Sequence, residues 1–444
     1  MAHVDRKRRS RKLRSSQVDD ADHSAPAPSS VESMPSAGSA MSSVKNGKGT
    51  VPLFSLDEVA QFTVRMVDIE TNLPAVLEQH GCAIVSGVAS DEECSNLERL
   101  FARDLIDMVD IAAAKQAGGN VQKTVEKLAE DVRAWPLASM DTLGRLDRCQ
   151  LRGLPHGRFA WQCRLHQNVR RCYEVIHGTS DLVSSCDNPF FSPPASEEQH
   201  QNRSWPHVDH NFHDKRFFDS DGNAVGDWAV FQGILYVWSS ESSHASTTVV
   251  LPGSHGDAYD AMMHDPYMIK RGQKGVHFCQ VSALSQAEMA NSLQGQWDVG
   301  ARRVPVPRGG LFLWSSRTLH QGWTGGPRLA QPVCWEPSGR RDEQALDRKL
   351  RLAALGLPST HWASLGIPHN LVAAELCKPT AASTVGGSIR LPARASIRQA
   401  SLKEGVEEAA MWSRLAGIDW TSPMPIECRQ FVEDSLTEEV LEAL

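Results

Sequence analysis

The sequence predicts a mainly β fold with flanking helices, in which the strands form an antiparallel sandwich or barrel. Two observations predict it. Between Trp205 and Trp335, short runs of β-branched and aromatic residues alternate with Gly and Pro, as in strands joined by turns. Before this region, apolar residues recur at three- and four-residue steps, as they do on the buried faces of helices.

The segment before the β-rich region is expected to begin with a helix, a strand and a second helix. Order begins near Phe54, where apolar residues follow a mixed helical spacing, and residues 82–88 form a short buried strand. Ser90 and Asp91 are capping residues, which places the start of the next helix there. Residues 115–150 are helical and then irregular in this prediction, and 167–176 form a further helix.

The β-rich region and the residues after it divide into runs of recognisable pattern. The predicted strands are residues 228–238, 247–251, 303–305, 311–314 and 329–335. After the β-rich region, the charged stretch 340–351 predicts a surface helix and residues 380–400 predict a loop. Two further helices are predicted near the end of the sequence, at 406–415 and 437–444.

The chain of 444 residues has room for one large core with extensions. Residues 1–50 contain no aromatic residue but eleven serines, so they cannot bury enough apolar surface to fold and are predicted to be a disordered, basic and Ser-rich tail. Residues 51–375 are predicted to form one domain with its β core at about 205–337. Residues 376–444 form a loop and helical extension in this scheme.

Charge and hydropathy restrict the partners of the folded part. The chain has 46 basic and 53 acidic residues, and seven of the basic ones lie between Arg6 and Arg14, so the remainder is strongly acidic. An acidic body argues against binding of nucleic acid by the folded part, because neutralising phosphates requires a basic face.

No run is long and apolar enough for a membrane helix or a signal peptide. A cytoplasmic location is expected, and the basic run resembles a nuclear-localisation patch. Nothing in the sequence indicates an oligomeric state.

The ten cysteines are scattered singly, without a CxxC pair. In a chain of this length, the spacing predicts reduced and mostly buried thiols rather than a disulfide framework or a zinc cluster.

The segment 205–214 holds the densest group of metal-ligand side chains. If Pro206 keeps the chain extended, His207 and Asp209 are two residues apart on a strand and project from the same face, as two ligands of a 2-His-1-carboxylate iron site would. If the segment is instead a helix, His207 pairs with His210 and Asp209 with His213, which favours a zinc site. A polar loop that binds nothing is the third possibility.

Downstream of this segment, four features follow in a distinctive order. They are a Pro-Gly-Ser-His turn after a strand, a Gly-rich turn before a hydrophobic strand, a distal His and an Arg: residues 251–255, 306–314, His320 and Arg328. The order resembles that of the phytanoyl-CoA dioxygenase family of Fe(II)- and 2-oxoglutarate-dependent oxygenases. The resemblance is specific over about 205–335 and weaker back to Leu53. It implies a double-stranded β-helix (jelly roll, cupin-like) and makes 51–375 a phytanoyl-CoA dioxygenase-like domain.

The resemblance also implies roles for individual residues. His207, Asp209 and His320 match the catalytic metal ligands of the family, and Arg328 matches the residue that pairs with the distal carboxylate of 2-oxoglutarate. Arg328 lies eight residues past the distal His, whereas the family commonly has about ten, so Arg317 is the substitute. Gln232 and Tyr236 share one strand face with Trp228, Val230, Ile234 and Trp238 if the strand alternates, which makes both candidate cosubstrate contacts.

The function predicted from the sequence is an Fe(II)- and 2-oxoglutarate-dependent dioxygenase that uses dioxygen to hydroxylate a C–H bond of a small molecule. Two alternatives remain open. One is a non-catalytic jelly-roll protein that binds a metal or ligand, and the other is a zinc hydrolase that uses the His207 to His213 cluster.

The composition of the tail yields a first prediction. A chain that begins at Val51 is expected to melt within a few degrees of the full-length protein, because residues 1–50 have no aromatic residue and no apolar periodicity. Thermal denaturation followed by circular dichroism measures this. A drop of many degrees would show that the tail contributes to the fold.

Overall fold

The computed structural model describes eight stretches of the chain: residues 51–108, 131–134, 153–193, 202–218, 221–222, 228–354, 356–369 and 434–444. Several predicted segments therefore lie outside the described residues. They are the tail 1–50, the 115–150 segment apart from 131–134, the loop 380–400 and the helix 406–415.

Thirteen strands occur in the described residues. In chain order, β1 to β13 are Thr63–Arg65, Cys82–Ser86, Leu182–Ser184, Phe190–Ser192, His207–Val208, Phe231–Tyr236, Thr247–Val250, Cys279–Gln280, Arg302–Arg303, Leu311–Ser315, His320–Trp323, Arg328–Pro332 and Trp335–Pro337. They form a six-stranded sheet in the order β1-β2-β10-β6-β12-β4, a five-stranded sheet in the order β8-β5-β11-β7-β9, and the pair β13-β3. All neighbours are antiparallel except β1 and β2, as the predicted antiparallel architecture requires.

Helices flank these sheets. In chain order, α1 to α10 of the described residues are Leu56–Ala60, Ile69–His80, Asp91–Met108, Arg158–Arg164, Gln167–His177, Asp257–Met263, Pro266–Gln273, Ala287–Gly300, Glu343–Ala354 and Glu438–Ala443. Ser90 caps α3 as predicted: its hydroxyl accepts from the Glu93 amide at 3.2 Å, while its own amide donates to the Glu93 carboxylate at 2.7 Å. None of the helices in the described part of the chain has the length and apolar character needed to cross a membrane.

The two large sheets enclose an inner core. Strand β10 shows the alternation that builds it, since Phe312 and Trp314 belong to the inner cluster and Leu311 and Leu313 to the outer one. The outer cluster lies between the six-stranded sheet and helices that include α2, α3 and α5. A third cluster lies between the five-stranded sheet and α6 to α8. The described domain is therefore layered as helices, sheet, inner core, sheet and helices.

Most of the predicted elements are confirmed. The predicted strands 82–88, 228–238, 247–251 and 311–314 are present as β2, β6, β7 and β10, and the helix 167–176 as α5. The run 303–305 yields the shorter β9, and the predicted helices 340–351 and 437–444 are present as α9 and α10. The seven cysteines in the described residues are unpaired and buried, as predicted.

Three predictions of detail are wrong. The run 329–335 is two strands with different partners, since β12 pairs with β6 and β4 and β13 pairs with β3. The face shared by Gln232, Ile234 and Tyr236 does not extend to Trp238, which belongs to the outer cluster, or to Val230, which lies in a separate cluster beside Trp228. The region 257–300 was predicted as part of the β-rich segment and contains α6, α7 and α8.

A lysine is completely buried on the inner side of α9. Lys349 has no exposed surface, and its Nζ makes no hydrogen bond. Burial lowers the pKa of Lys349 to about 7, and the neighbouring Arg341 and Arg164 lower it further, while Cys186 and Glu336 oppose them. A buried amine without a bonded partner destabilises the folded state.

The pKa of Lys349 leads to a prediction about stability. Between about pH 7 and 10.5 the unfolded chain binds a proton at this lysine that the folded protein does not, so the free energy of unfolding rises with pH in that window. Lys349→Met is therefore expected to raise the stability at neutral pH, by about 1 to 4 kcal/mol, and to flatten this rise. Denaturant titrations at several pH values test it, with the exposed Lys270→Met as the control. Equal effects of the two substitutions would contradict the prediction.

Candidate metal centre

Two paired strands bring the two predicted histidine ligands together. Strands β5 and β11 are antiparallel neighbours, and His207 stands directly opposite His320, with 4.2 Å between the ring centroids. Their strand neighbours Val208 and Leu319 point to the other face, into the cluster beneath α6 to α8. Because side chains alternate along a strand, burying these two apolar residues on one face turns both imidazoles to the other.

Asp209 completes a compact group with these histidines. Its amide donates to the Ser316 carbonyl at 2.9 Å, which holds the chain just past β5. The Asp209 Oδ2 atom lies 3.2 Å from His320 Nε2 and 3.8 Å from His207 Nε2. Of the described residues, these are the His, Cys, Asp and Glu side chains that converge within 4.8 Å, as the ligands of one metal ion do.

Hydrogen bonds at Nδ1 orient both histidine rings so that their Nε2 atoms face Asp209. His320 Nδ1 bonds the Thr318 carbonyl at 2.9 Å, and His207 Nδ1 bonds the Trp205 carbonyl at 3.3 Å. A carbonyl only accepts, so each Nδ1 donates its proton there, and each ring turns its Nε2 toward Asp209. Trp205 also stacks on the His207 ring, with centroids 4.5 Å apart and an interplanar angle of 9°.

The electrostatics keep the group in its metal-binding protonation state. Burial lowers the pKa of His207 to about 3, and the nearby His320 adds to this effect. For Asp209, burial alone would raise the pKa, but the imidazoles of His361, His207 and His320 outweigh it and hold the pKa well below its usual value. At neutral pH the group therefore contains an unprotonated His207 and a carboxylate, the forms that bind metals.

Gln232, expected to contact a cosubstrate, bonds the carboxylate of this group. Its Nε2 donates to Asp209 Oδ2 at 3.0 Å and lies 3.3 Å from the Ser316 hydroxyl. The Ser316 carbonyl also accepts from the Asp209 amide, so Ser316 holds the backbone of Asp209 and Gln232 holds its carboxylate. Partners of this kind orient a ligand and raise the metal affinity of a site.

Arg328 lies at the start of β12 and is buried, with 4% of its surface exposed. Its NH2 group donates to the Tyr236 hydroxyl at 3.1 Å, and its guanidinium lies 4.1 Å from the centre of the Phe190 ring. The Nε–H makes no hydrogen bond. Within the described residues no Asp or Glu lies within 4.0 Å of this guanidinium, so its charge has no anionic partner there.

Strand β6 connects this arginine to the candidate metal ligands. Gln232 bonds Asp209, and Tyr236, on the same face of β6, bonds Arg328. Four residues along a strand correspond to about 13 Å.

Arg317, the alternative to Arg328, has a different environment: its guanidinium lies 5.6 Å from the ring centre of Tyr259, a residue of the cluster beneath α6 to α8. This placement favours Arg328 over Arg317 as the residue that faces the inner core.

The other histidines of the motif point elsewhere. His210 bonds the Tyr259 hydroxyl at 2.6 Å and the Trp228 carbonyl at 3.2 Å, so both ring nitrogens are engaged. His213 Nε2 bonds the Met263 carbonyl at 2.6 Å. The structure therefore does not assemble the helical zinc cluster that the spacing of the motif left open.

One histidine at the site was not identified from the sequence. His361 Nδ1 lies 4.0 Å from Asp209 Oδ2. It belongs to the segment 356–369, far from the motif and outside the β-rich region, and it carries no spacing signal. Only the folded chain brings it to the carboxylate.

Comparisons with known proteins give structural similarities alone. No protein-family model matches the chain, and no curated protein matches its sequence. EctD from S. alaskensis, solved with 2-oxoglutarate and 5-hydroxyectoine, is 13% identical with a TM-score of 0.34 over 61% of this chain and 77% of that chain. The epimerase SnoN, solved with Fe3+, alpha ketoglutarate and nogalamycin RO, is 13% identical with a TM-score of 0.34 over 72% and 93%. GIG2 (DUF1479) from Candida albicans is 11% identical with a TM-score of 0.42 over 85% of each chain. With TM-scores below 0.5, these similarities assign neither a family nor a function to the chain.

The geometry predicts which substitutions remove metal binding. His207→Ala, Asp209→Ala and His320→Ala are each expected to abolish tight Fe(II) binding, since each removes a converging donor atom. His210→Ala and His213→Ala are expected to retain it, because their rings bond other partners. Anaerobic titration with Fe(II), with the melting temperature of each variant as the control for folding, measures the difference. Equal loss in the last two variants would favour a zinc cluster.

Proposed function

We propose that this chain is an Fe(II)- and 2-oxoglutarate-dependent dioxygenase with a jelly-roll core, which hydroxylates a C–H bond of a small molecule. The observation that carries the proposal is the convergence of His207, Asp209 and His320 inside a domain that also buries Arg328, which has no acidic partner among the described residues. The two facing antiparallel sheets, with the ligand group on the β5–β11 pair, support the jelly-roll part.

The donor set fits ferrous iron. Two neutral imidazoles and one carboxylate form the facial set that suits non-haem Fe(II), and three protein ligands leave positions for other molecules. The Nδ1 hydrogen bonds of His207 and His320 support this fit, because they turn the Nε2 atoms of both rings toward the Asp209 carboxylate. A zinc hydrolase has less support, since His210 and His213 have other partners.

Arg328 supports the choice of 2-oxoglutarate as cosubstrate. A buried guanidinium with an unused Nε–H is suited to a carboxylate, which accepts two parallel charge-assisted hydrogen bonds. Tyr236 holds one edge of the guanidinium and Phe190 covers one of its faces, so its orientation is fixed before any ligand arrives. The cosubstrate would extend along β6 between Arg328 and the metal ligands.

The proposed reaction divides the work between cofactor and protein. Bound iron would couple the oxidative decarboxylation of 2-oxoglutarate by dioxygen, which yields succinate and carbon dioxide, to the hydroxylation of the substrate. The residues of the chain bind and orient: Gln232 fixes the Asp209 carboxylate, and Arg328 fixes the distal end of the cosubstrate. The buried rings of Phe312 and Trp314 keep water from the inner core.

Formation of succinate separates this function from a non-catalytic binding protein with the same site. Iron-loaded protein incubated with 2-oxoglutarate and dioxygen is expected to release succinate, and more rapidly when its substrate is present in a mixture of metabolites. A protein that binds iron and 2-oxoglutarate but releases no succinate under any of these conditions would be the binding protein.

The role of Arg328 is tested separately. Arg328→Ala is expected to weaken 2-oxoglutarate binding by roughly 2 to 5 kcal/mol, about thirtyfold to several thousandfold, because a buried anion loses its partner. Fe(II) affinity is expected to change little, since the metal ligands lie on other strands. Arg328→Lys restores the charge but not the fork, so an intermediate affinity is expected.

Titration of 2-oxoglutarate into the iron-loaded protein, followed by its metal-to-ligand absorption band, measures these affinities. Arg317→Ala is the matched control. If Arg317→Ala loses affinity and Arg328→Ala does not, the role belongs to Arg317. Unchanged affinity in both variants would remove the cosubstrate assignment.

A further inference from the structure

A third imidazole reaches the candidate metal ligands from a distant segment. His361 is partly buried, with 17% of its side chain exposed, and its Nδ1 lies 4.0 Å from Asp209 Oδ2. The same carboxylate oxygen lies 3.2 Å from His320 Nε2 and 3.8 Å from His207 Nε2. Nitrogen atoms of three imidazoles thus surround one oxygen atom, although a facial triad accounts for only two of them.

The distance between His361 and Asp209 is compatible with binding of both to one ion. Imidazole nitrogen and carboxylate oxygen lie about 2.0 to 2.2 Å from a divalent metal. Two ligands of one ion are therefore roughly 3 Å apart when adjacent and roughly 4 Å apart when opposite. His361 falls outside the compact group of three, so its side chain has to move toward the group to complete the contact.

The hydrogen bonding of His361 differs from that of the two other histidines. His207 and His320 each anchor Nδ1 on a backbone carbonyl, and such anchors are typical of permanent metal ligands. His361 Nε2 is buried and has no hydrogen-bond partner among the described residues. The ring therefore lacks the anchor on its second nitrogen that the other two histidines have, as expected of a ligand that can leave.

The backbone that carries His361 is held firmly on both sides. The Ser359 amide donates to the Cys186 carbonyl at 3.0 Å, and the Thr360 amide donates to the Ile367 carbonyl at 2.7 Å. Trp362, the next residue, is 1% exposed and stacks on His277 with ring centroids 4.0 Å apart. The backbone of the segment therefore presents His361 at a fixed place, and any exchange of this ligand has to occur by rotation of its side chain.

We propose that His361 is a fourth, exchangeable protein ligand of the metal. It occupies one of the positions left open by His207, Asp209 and His320, and a bidentate 2-oxo acid displaces it. The identity of the displacing acid rests on the proposed function; the ligation of the metal by His361 does not. The exchange would keep one of the open positions covered by a protein ligand until the cosubstrate arrives.

The first experiment uses metals alone. The electron paramagnetic resonance spectrum of the Cu(II)-loaded protein is expected to show coupling to three imidazole nitrogens, and that of His361→Ala to two. Co(II) affinity, measured by competition with a chelator, is expected to fall about tenfold or more in the variant. His213→Ala is the matched control, because its ring bonds the Met263 carbonyl and should change neither result. Melting of the metal-free proteins checks that the fold is intact.

Two outcomes of the metal experiment would overturn the proposal. Equal affinity and an equal number of coupled nitrogens in wild type and His361→Ala would show that His361 does not bind the metal. A lower affinity with an unchanged number of nitrogens would make His361 a positioning residue instead of a ligand.

The second experiment adds 2-oxoglutarate to the Co(II)-loaded proteins. The wild-type protein is expected to lose one imidazole ligand, and His361→Ala is expected to bind 2-oxoglutarate more tightly, because no ligand has to leave. Since His361 has left the metal once 2-oxoglutarate is bound, the wild-type protein and His361→Ala should have equal metal affinities at saturating 2-oxoglutarate. Weaker binding of 2-oxoglutarate by the variant would overturn the exchange. Absence of 2-oxoglutarate binding in both proteins would instead contradict the proposed function and leave the metal result standing.

Discussion

The candidate site depends on the register of one short strand pair. Strand β5 has two residues in the ladder, and its pairing with β11 places His207 opposite His320. A shift of one residue would turn one of the imidazoles toward the helices and bring Val208 or Leu319 into the site. The apolar cluster beneath α6 to α8 opposes that shift, because it buries both Val208 and Leu319. The insertion of helices in the β-rich region thus stabilises the geometry of the ligands.

Charge balance connects the two ends of the site. Burial favours neutral imidazole at His207, so the remaining charges are the carboxylate of Asp209 and the guanidinium of Arg328, separated by about the length of four strand residues. Among the described residues, the basic side chains within 4.0 Å of the Asp209 carboxylate are imidazoles, and no acidic side chain lies within 4.0 Å of the Arg328 guanidinium. A divalent cation beside Asp209 and a dianion that spans to Arg328 would give each charge a partner without changing the net charge. Because each of these two ligands supplies the charge that the other requires, binding of the metal and binding of the 2-oxo acid are expected to favour each other.

The features of the site that depend on local sequence pattern could be predicted from the sequence. Alternation along a strand was enough to place His207 and Asp209 on one side, and the order of the downstream motifs indicated His320 and Arg328. The hydrogen bond between Gln232 and Asp209 was not predictable, because it depends on which strands of the two sheets face each other across the inner core. The helices between 257 and 300 were missed because their apolar residues are interrupted by the Gly and Pro that marked the region as turns and strands. His361 approaches the site only through tertiary packing.

Unused hydrogen-bonding capacity does not by itself identify a functional group in this protein. The Nζ of Lys349, the Nε of Arg328 and the Nε2 of His361 are all buried without a hydrogen-bond partner. Lys349 lies on the buried face of α9, where burial favours its neutral form and an apolar side chain would serve as well. Arg328 is linked through Tyr236 and β6 to Asp209, and His361 lies beside that same carboxylate. A buried unsatisfied group becomes evidence for a ligand only when independent contacts direct it to the same place as other binding groups, and only Arg328 and His361 of these three meet that condition.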